Sequence, residues 1–176
     1  MKHPAILRKL FTAAAIIAPL TFFAGCDDDG DSNPVSSGSD LPDGWALIND
    51  ESVQEGETLE LDADTVYLLD GFVFVEDGAT IKIPAGTVIR GNPGGGLNSS
   101  ALIISRGGKI MAEGTKDNPI IMTARSDDLS LDDDLSGSAR GLWGGLIILG
   151  KAPITTSEGT EQIEGIIDDP RGEYGG

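Results

Sequence analysis

The chain has one cysteine and one histidine in 176 residues, and both precede Asp27. A lone thiol excludes an internal disulfide framework. Cations are scarce: 12 Lys and Arg stand against 29 Asp and Glu, for a formal charge of −17. A surface that acidic argues against nucleic acid as a partner and against docking on anionic lipid, while drawing divalent cations weakly. Beyond residue 25 no apolar run is long enough for a membrane-spanning helix. No segment there shows the three-to-four-residue apolar spacing of an amphipathic helix either.

The N-terminus differs from the rest. Lys2, Arg8 and Lys9 precede an apolar run from Leu10 to Gly25, broken only by Thr12, Pro19 and Thr21. A basic flank, a short apolar run and small residues before a cysteine are the marks of a processed signal. Leu20-Thr21-Phe22-Phe23-Ala24-Gly25-Cys26 resembles a bacterial lipoprotein signal ending in a lipobox. The resemblance implies removal of residues 1–25, a diacylglyceryl thioether on Cys26 and acylation of its new amino group. Three acyl chains at about 0.8 kcal/mol per buried methylene anchor a protein firmly. Losing three cations and no acids with the leader takes the formal charge from −17 to −20, and His3 leaves too. The implied location is the cell envelope, as an outer-membrane lipoprotein.

Residues 26–44 read as the lipidated cysteine and an acidic, flexible tether rich in Asp, Gly, Ser, Asn and Pro. Asp27-Asp28-Asp29 looks like the acidic surface-export signal of some Bacteroidetes-type lipoproteins. An Asp in the second position favours inner-membrane retention in enterobacteria, and a plain acidic spacer is the third reading.

From Trp45 to Gly176 short β-rich runs alternate with Gly, Pro, Asp and Asn. The runs predict strands at 58–61, 65–69, 72–75, 80–83, 87–90, 101–105, 109–112, 120–123 and 146–149. A repeat runs through them. Gly78-Ala79-Thr80-Ile81 is echoed by Gly107-Gly108-Lys109-Ile110, 29 residues on, and Gly86-Thr87 by Gly114-Thr115, 28 on. A long insertion displaces a third unit beginning at Trp143. Three short strands in a period somewhat under 30 fit one coil of a solenoid, which buries its inner face only by stacking on its neighbours. A β-sandwich is the competing fold, but the repeat and the absence of clear hairpin turns favour the solenoid. Trp45 is expected to cover the first coil as part of an N-terminal cap.

Four segments carry a more specific resemblance: Leu69–Val75, Gly78–Ile83, Pro84–Gly91 and Gly141–Gly150. They are similar to the N-terminal part of Bacteroidetes-type secreted and lipid-anchored proteins with a right-handed parallel β-helix of the pectin-lyase-like class. The resemblance spans about residues 69–176. It implies an all-β solenoid, with an N-terminal cap and first coils at 45–176, and an envelope location. It implies no reaction, because the fold carries lyases, hydrolases, adhesins and inert stalks alike. Relatives continue for more coils, and Pro170 to Gly176 reads as a glycine-rich turn with no closing strand. A truncated or N-terminal piece is therefore expected.

Candidate chemistry is sparse. Asp127, Asp128, Asp132, Asp133 and Asp134 crowd one segment, and carboxylates at that density could hold Ca²⁺ weakly. The spacing does not match an EF-hand, and a solvated insertion between coils explains it as well. Asp168-Asp169 before Pro170-Arg171 reads as a turn, or as a ligand pair. Arg90, Arg106, Arg125 and Arg140 match a lyase's need for a base in number only. Gly91 to Gly96 lacks the Lys-Ser/Thr and helix of a phosphate loop. Trp143 suits packing at a coil corner or a sugar-stacking platform. No catalytic residue is assigned. The expected function is a non-catalytic envelope lipoprotein acting as a surface stalk, adhesin or glycan-binding scaffold, with surface or extracellular polysaccharide as partner. The alternative is the N-terminal part of a polysaccharide lyase or hydrolase.

Overall fold

The computed structural model describes residues 41–166 and 168–176. Among them no helix is long and apolar enough to cross a membrane. Cys26 and Asp27–Asp29 lie outside the described residues.

Among the described residues, ten of twelve strands build three parallel sheets. Sheet A contains β1 (Trp45–Ile48), β3 (Val66–Leu69), β6 (Val88–Gly91) and β9 (Ile121–Ala124). Sheet B contains β2 (Thr58–Glu60), β5 (Thr80–Ile83) and β8 (Lys109–Ala112). Sheet C contains β4 (Phe72–Val75), β7 (Ala101–Ile104) and β10 (Gly145–Ile148). From β3 on the chain visits A, C and B in turn and lays each new strand parallel beside the one a coil earlier, while the first coil passes from β1 in A to β2 in B without a strand in C. All nine predicted strands are present, with ends within a residue of those expected.

The coil is shorter than the sequence repeat suggests. Val66 pairs with Val88 and Thr58 with Thr80, each 22 residues apart. The 29-residue echo is real as a contact, since Ile81 lies beside Ile110, but it contains a nine-residue loop between β6 and β7, seven residues longer than the two-residue turn between β3 and β4. The Gly-Thr echo is not a structural equivalence. Val88 pairs with Ile121, 33 residues on, because the turn around Thr115–Asn118 lengthens the path from β8 to β9. Gly86-Thr87 therefore lies beside Pro119-Ile120, and Gly114-Thr115 is part of that longer turn.

Alternation along each strand sends one row of side chains inward. Leu59, Ile81 and Ile110 stack in sheet B, Tyr67, Ile89 and Met122 in sheet A, and Val73 and Leu102 in sheet C. Ile81, Ile89, Val73 and Leu102 are fully buried. No single coil could bury these rows, so the stacking contact is the source of the hydrophobic stabilisation. Thr87, one of three buried polar residues among those described, donates its hydroxyl to the carbonyl of Pro84 at 2.7 Å. At the last rung the inward row ends in Leu146 and Ile148, which are 40% and 63% exposed.

Two sequence expectations change. Trp45 does not cover the first coil. It begins β1, pairs with Val66 and faces outward from sheet A, where the Arg90 guanidinium lies 5.1 Å from its ring centroid. The C-terminal residues do include a closing strand: β11 (Thr160–Gln162) pairs antiparallel with β12 (Glu173–Gly175). Residues 41–44 turn into β1, where the Trp45 amide donates to the carbonyl of Pro42 and the Val66 amide to that of Gly44.

The outer face of sheet C carries a second core. Phe74, Ala101 and Ile103 point outward there and pack with Leu149 and Ile166, and Ile163 and Tyr174 close over them. The C-terminal segment thus lies along the side of the β-helix, leaving Leu146 and Ile148 at the last rung uncovered.

Candidate functional site

A cleft of about 570 Å³ opens where the C-terminal segment meets two coil corners. Glu76 and Asp77 come from the β4–β5 corner, Ser105 and Arg106 from the β7–β8 corner, and Lys151 and Arg171 from the C-terminal segment. The corners stack closely because glycine occupies positions 107 and 108. Gly107 has φ +88°, and a Cβ on Gly108 would stand 2.2 Å from the carbonyl oxygen of Val75.

Arg171 is the centre of the polar network. Its guanidinium lies 4.0 Å from the Phe74 ring centroid. Nη2 donates to Asp169 at 2.7 Å, and Nη1 donates to Asp50 at 2.9 Å and Glu76 at 3.1 Å. Asp169 also accepts from the Arg171 amide, capping a 3₁₀ turn at Pro170–Gly172. The neighbouring cations are matched as well. Arg106 meets Glu173 at 2.6 Å and donates to the carbonyl of Gly175, and Lys151 faces Asp77 at 3.6 Å.

The side-chain hydrogen bonds from Arg171 hold the Asp169 carboxyl below its ordinary range, against an opposing desolvation effect. The same carboxylates raise the Arg171 guanidinium. A depressed folded-state pKa adds stability that is complete above the unfolded value near 4 and is lost as pH falls through the folded one. Thermal stability should accordingly fall as the solution is acidified below about pH 4, and Asp169→Asn should flatten part of that fall. Identical acid profiles for the two proteins would remove Asp169 from the account.

The aspartates singled out in the sequence do not converge. Asp127 accepts from the Thr123 hydroxyl. Asp128 accepts from the amide and hydroxyl of Ser130, and its own amide donates to Asp134. The Ser130 hydroxyl bond is the main reason the Asp128 carboxyl lies below its ordinary range. Among the described residues no three carboxylates, Cys or His are gathered as a metal-ligating group. Asp132 and Asp133 lie in the same exposed stretch. Asp168 has φ +61° and sits in the turn before Asp169, so that pair divides into a turn residue and an arginine partner.

The arginines are equally dispersed. Arg90 donates to the carbonyls of Arg125 and Asp127, tying down the start of the β9–β10 insertion. Arg125 donates to Asn92, which donates to Asp70. Arg140 bonds to carbonyls of its own loop. The Gly91–Gly96 segment leads outward into a 3₁₀ turn at Gly96–Asn98. Trp143 fills a coil corner: a Cβ on Gly91 would lie 2.6 Å from that of Trp143. Sequence reasoning missed Arg171 as a hub, because its partner Asp50 lies 121 residues away.

Three parallel sheets wound around one apolar interior, with polar corners and no converging catalytic set among the described residues, define a parallel β-helix scaffold. A family model described as the pectate-lyase-like beta helix domain matches residues 52–176, and the chain belongs to that family. No curated protein and no solved structure matches the chain.

Proposed function

We propose that the protein is a non-catalytic envelope lipoprotein, with residues 1–25 as its signal, Cys26 as its lipid anchor and the β-helix as a surface stalk, adhesin or glycan-binding scaffold. The observation that carries the non-catalytic reading is the pairing in the cleft. Arg106, Lys151 and Arg171 each sit against a carboxylate. A lyase base must instead be free to take a proton from its substrate. The anchor reading rests on the basic flank, the apolar run and Ala24-Gly25-Cys26. Cys26→Ser should abolish acyl labelling in cells and release or mislocalise the protein, whereas labelling that survives the change would defeat the lipoprotein reading.

The exposed inward rows of Leu146 and Ile148 favour one second reading, in which this β-helix is the first part of a longer polysaccharide lyase or hydrolase. An immunoblot of native cells against residues 46–176 separates the two. A membrane-bound band somewhat below the 18.3 kDa of the full chain, as removal of residues 1–25 requires, supports the first reading, and a much larger band supports the longer chain of the second.

A further inference from the structure

We infer that the C-terminal segment, residues 150–166 and 168–176, is a strap latched onto the side of the β-helix by Arg171, and that it undocks as a unit while the coils stay folded. Three features of the structure carry this.

The strap's apolar contact is separate from the coil interior. Ile166, Ile163 and Tyr174 pack beside Leu149 on the outward residues Phe74, Ala101 and Ile103, and that cluster is distinct from the one inside the coils. The strap's hydrogen bonding is largely its own. β11 and β12 pair with each other rather than with any of the three parallel sheets. Gln162 donates to the carbonyls of Ile166 and Asp169 within the segment. Units of this kind, with internal pairing and a separable apolar contact, open below the free energy of global unfolding.

Beyond that apolar contact, the polar ties between strap and coils are few and mostly ionic, and one of them, Lys151 to Asp77 at 3.6 Å, joins two largely exposed side chains. Arg171 reaches across to Asp50 in the β1–β2 turn and to Glu76 at the β4–β5 corner, and its guanidinium covers Phe74. Arg106 reaches the other way, from the β7–β8 corner to Glu173 and the carbonyl of Gly175. Ser105 donates to the Arg171 carbonyl at 2.9 Å. Arg171 alone spans two corners of the helix and the strap. Its loss removes the bonds to Asp50 and Glu76 together, while every coil-to-coil ladder keeps its partners. Undocking bares the apolar outer face of sheet C, which the strap otherwise covers.

Hydrogen–deuterium exchange on the full chain in detergent tests the latch. In the unaltered protein, amides of β11 and β12 should exchange faster than those of β5, β6 and β7. Arg171→Gln should speed exchange in the strap by about tenfold and leave β5 and β6 unchanged. Asp50→Asn with Glu76→Gln attacks the same latch from the coil side and leaves the Arg171–Asp169 pair in place. It should give the same pattern, and it decides the matter if Arg171→Gln does not fold. Unchanged strap exchange, or a parallel rise in β5 and β6, would overturn the inference.

Discussion

Leu102→Ala should destabilise the β-helix by about 2–5 kcal/mol, the range for a leucine removed from a core that cannot collapse around the gap. Leu102 is fully buried in the middle strand of sheet C. Val73 lies below it and Leu146 above it in the inward row. Backbone hydrogen bonds to β4 on one side and β10 on the other hold its strand in place, so the neighbours cannot move in. The built-in comparison is Leu146, one rung further on in the same row and 40% exposed. Leu146→Ala removes the same atoms from a half-open site and should cost about 1 kcal/mol or less. Chemical denaturation of both variants measures the difference. Equal losses would mean that Leu102 and Leu146 do not stand at an enclosed and an open level of one stack.

Gly108→Ala should cost roughly 3 kcal/mol, at the upper end of what overpacking costs. The obstacle is backbone: the new Cβ would stand 2.2 Å from the carbonyl oxygen of Val75 and 3.0 Å from that of Glu76. Those atoms belong to the coil beneath, in a corner held by the Ser105 amide donating to Val75 and the Gly108 amide donating to Ser105. Neither coil can yield without breaking its pairing. Gly95→Ala is the control, because a Cβ there meets nothing within 4 Å. It should be neutral or raise stability by a few tenths of a kcal/mol through the unfolded chain. A neutral Gly108→Ala would show that the two corners are not stacked as described.

The strands that stack inside the coils were legible because burial on one face and turns at each end leave a mark in four residues. Thr80-Ile81-Lys82-Ile83 and Lys109-Ile110-Met111-Ala112 carry it, and they are partners in space. The coil length was less legible. Coils vary in their corners, so the β6–β7 loop made a 22-residue coil read as a 29-residue repeat, the β8–β9 turn stretched the next spacing to 33, and the Gly-Thr echo matched by composition alone. β11 and β12 left no such mark. Thr160-Glu161-Gln162 and Glu173-Tyr174-Gly175 are polar, and they become strands by pairing with each other over a core formed by the outward side of sheet C. Trp143 was readable as a corner residue because it adjoins Gly144-Gly145. Trp45 was misplaced because nothing local reveals that Arg90, on a strand two coils further along, stacks on it. The Arg171 hub joins Asp50, Glu76 and Asp169, three carboxylates among 29 acids, and only the winding of the chain selects them.

The parallel stack itself is tested most directly by methyl nuclear Overhauser contacts in the protein with labelled Ile, Leu and Val. The structure predicts contacts from Ile81 to Leu59 on one side and to Ile110 on the other, and from Leu102 to both Val73 and Leu146. Leu59 and Ile110, two coils apart, should show none. Cross-peaks of Ile81 that skip these partners, or contacts pairing the same strands in antiparallel order, would contradict the β-helix.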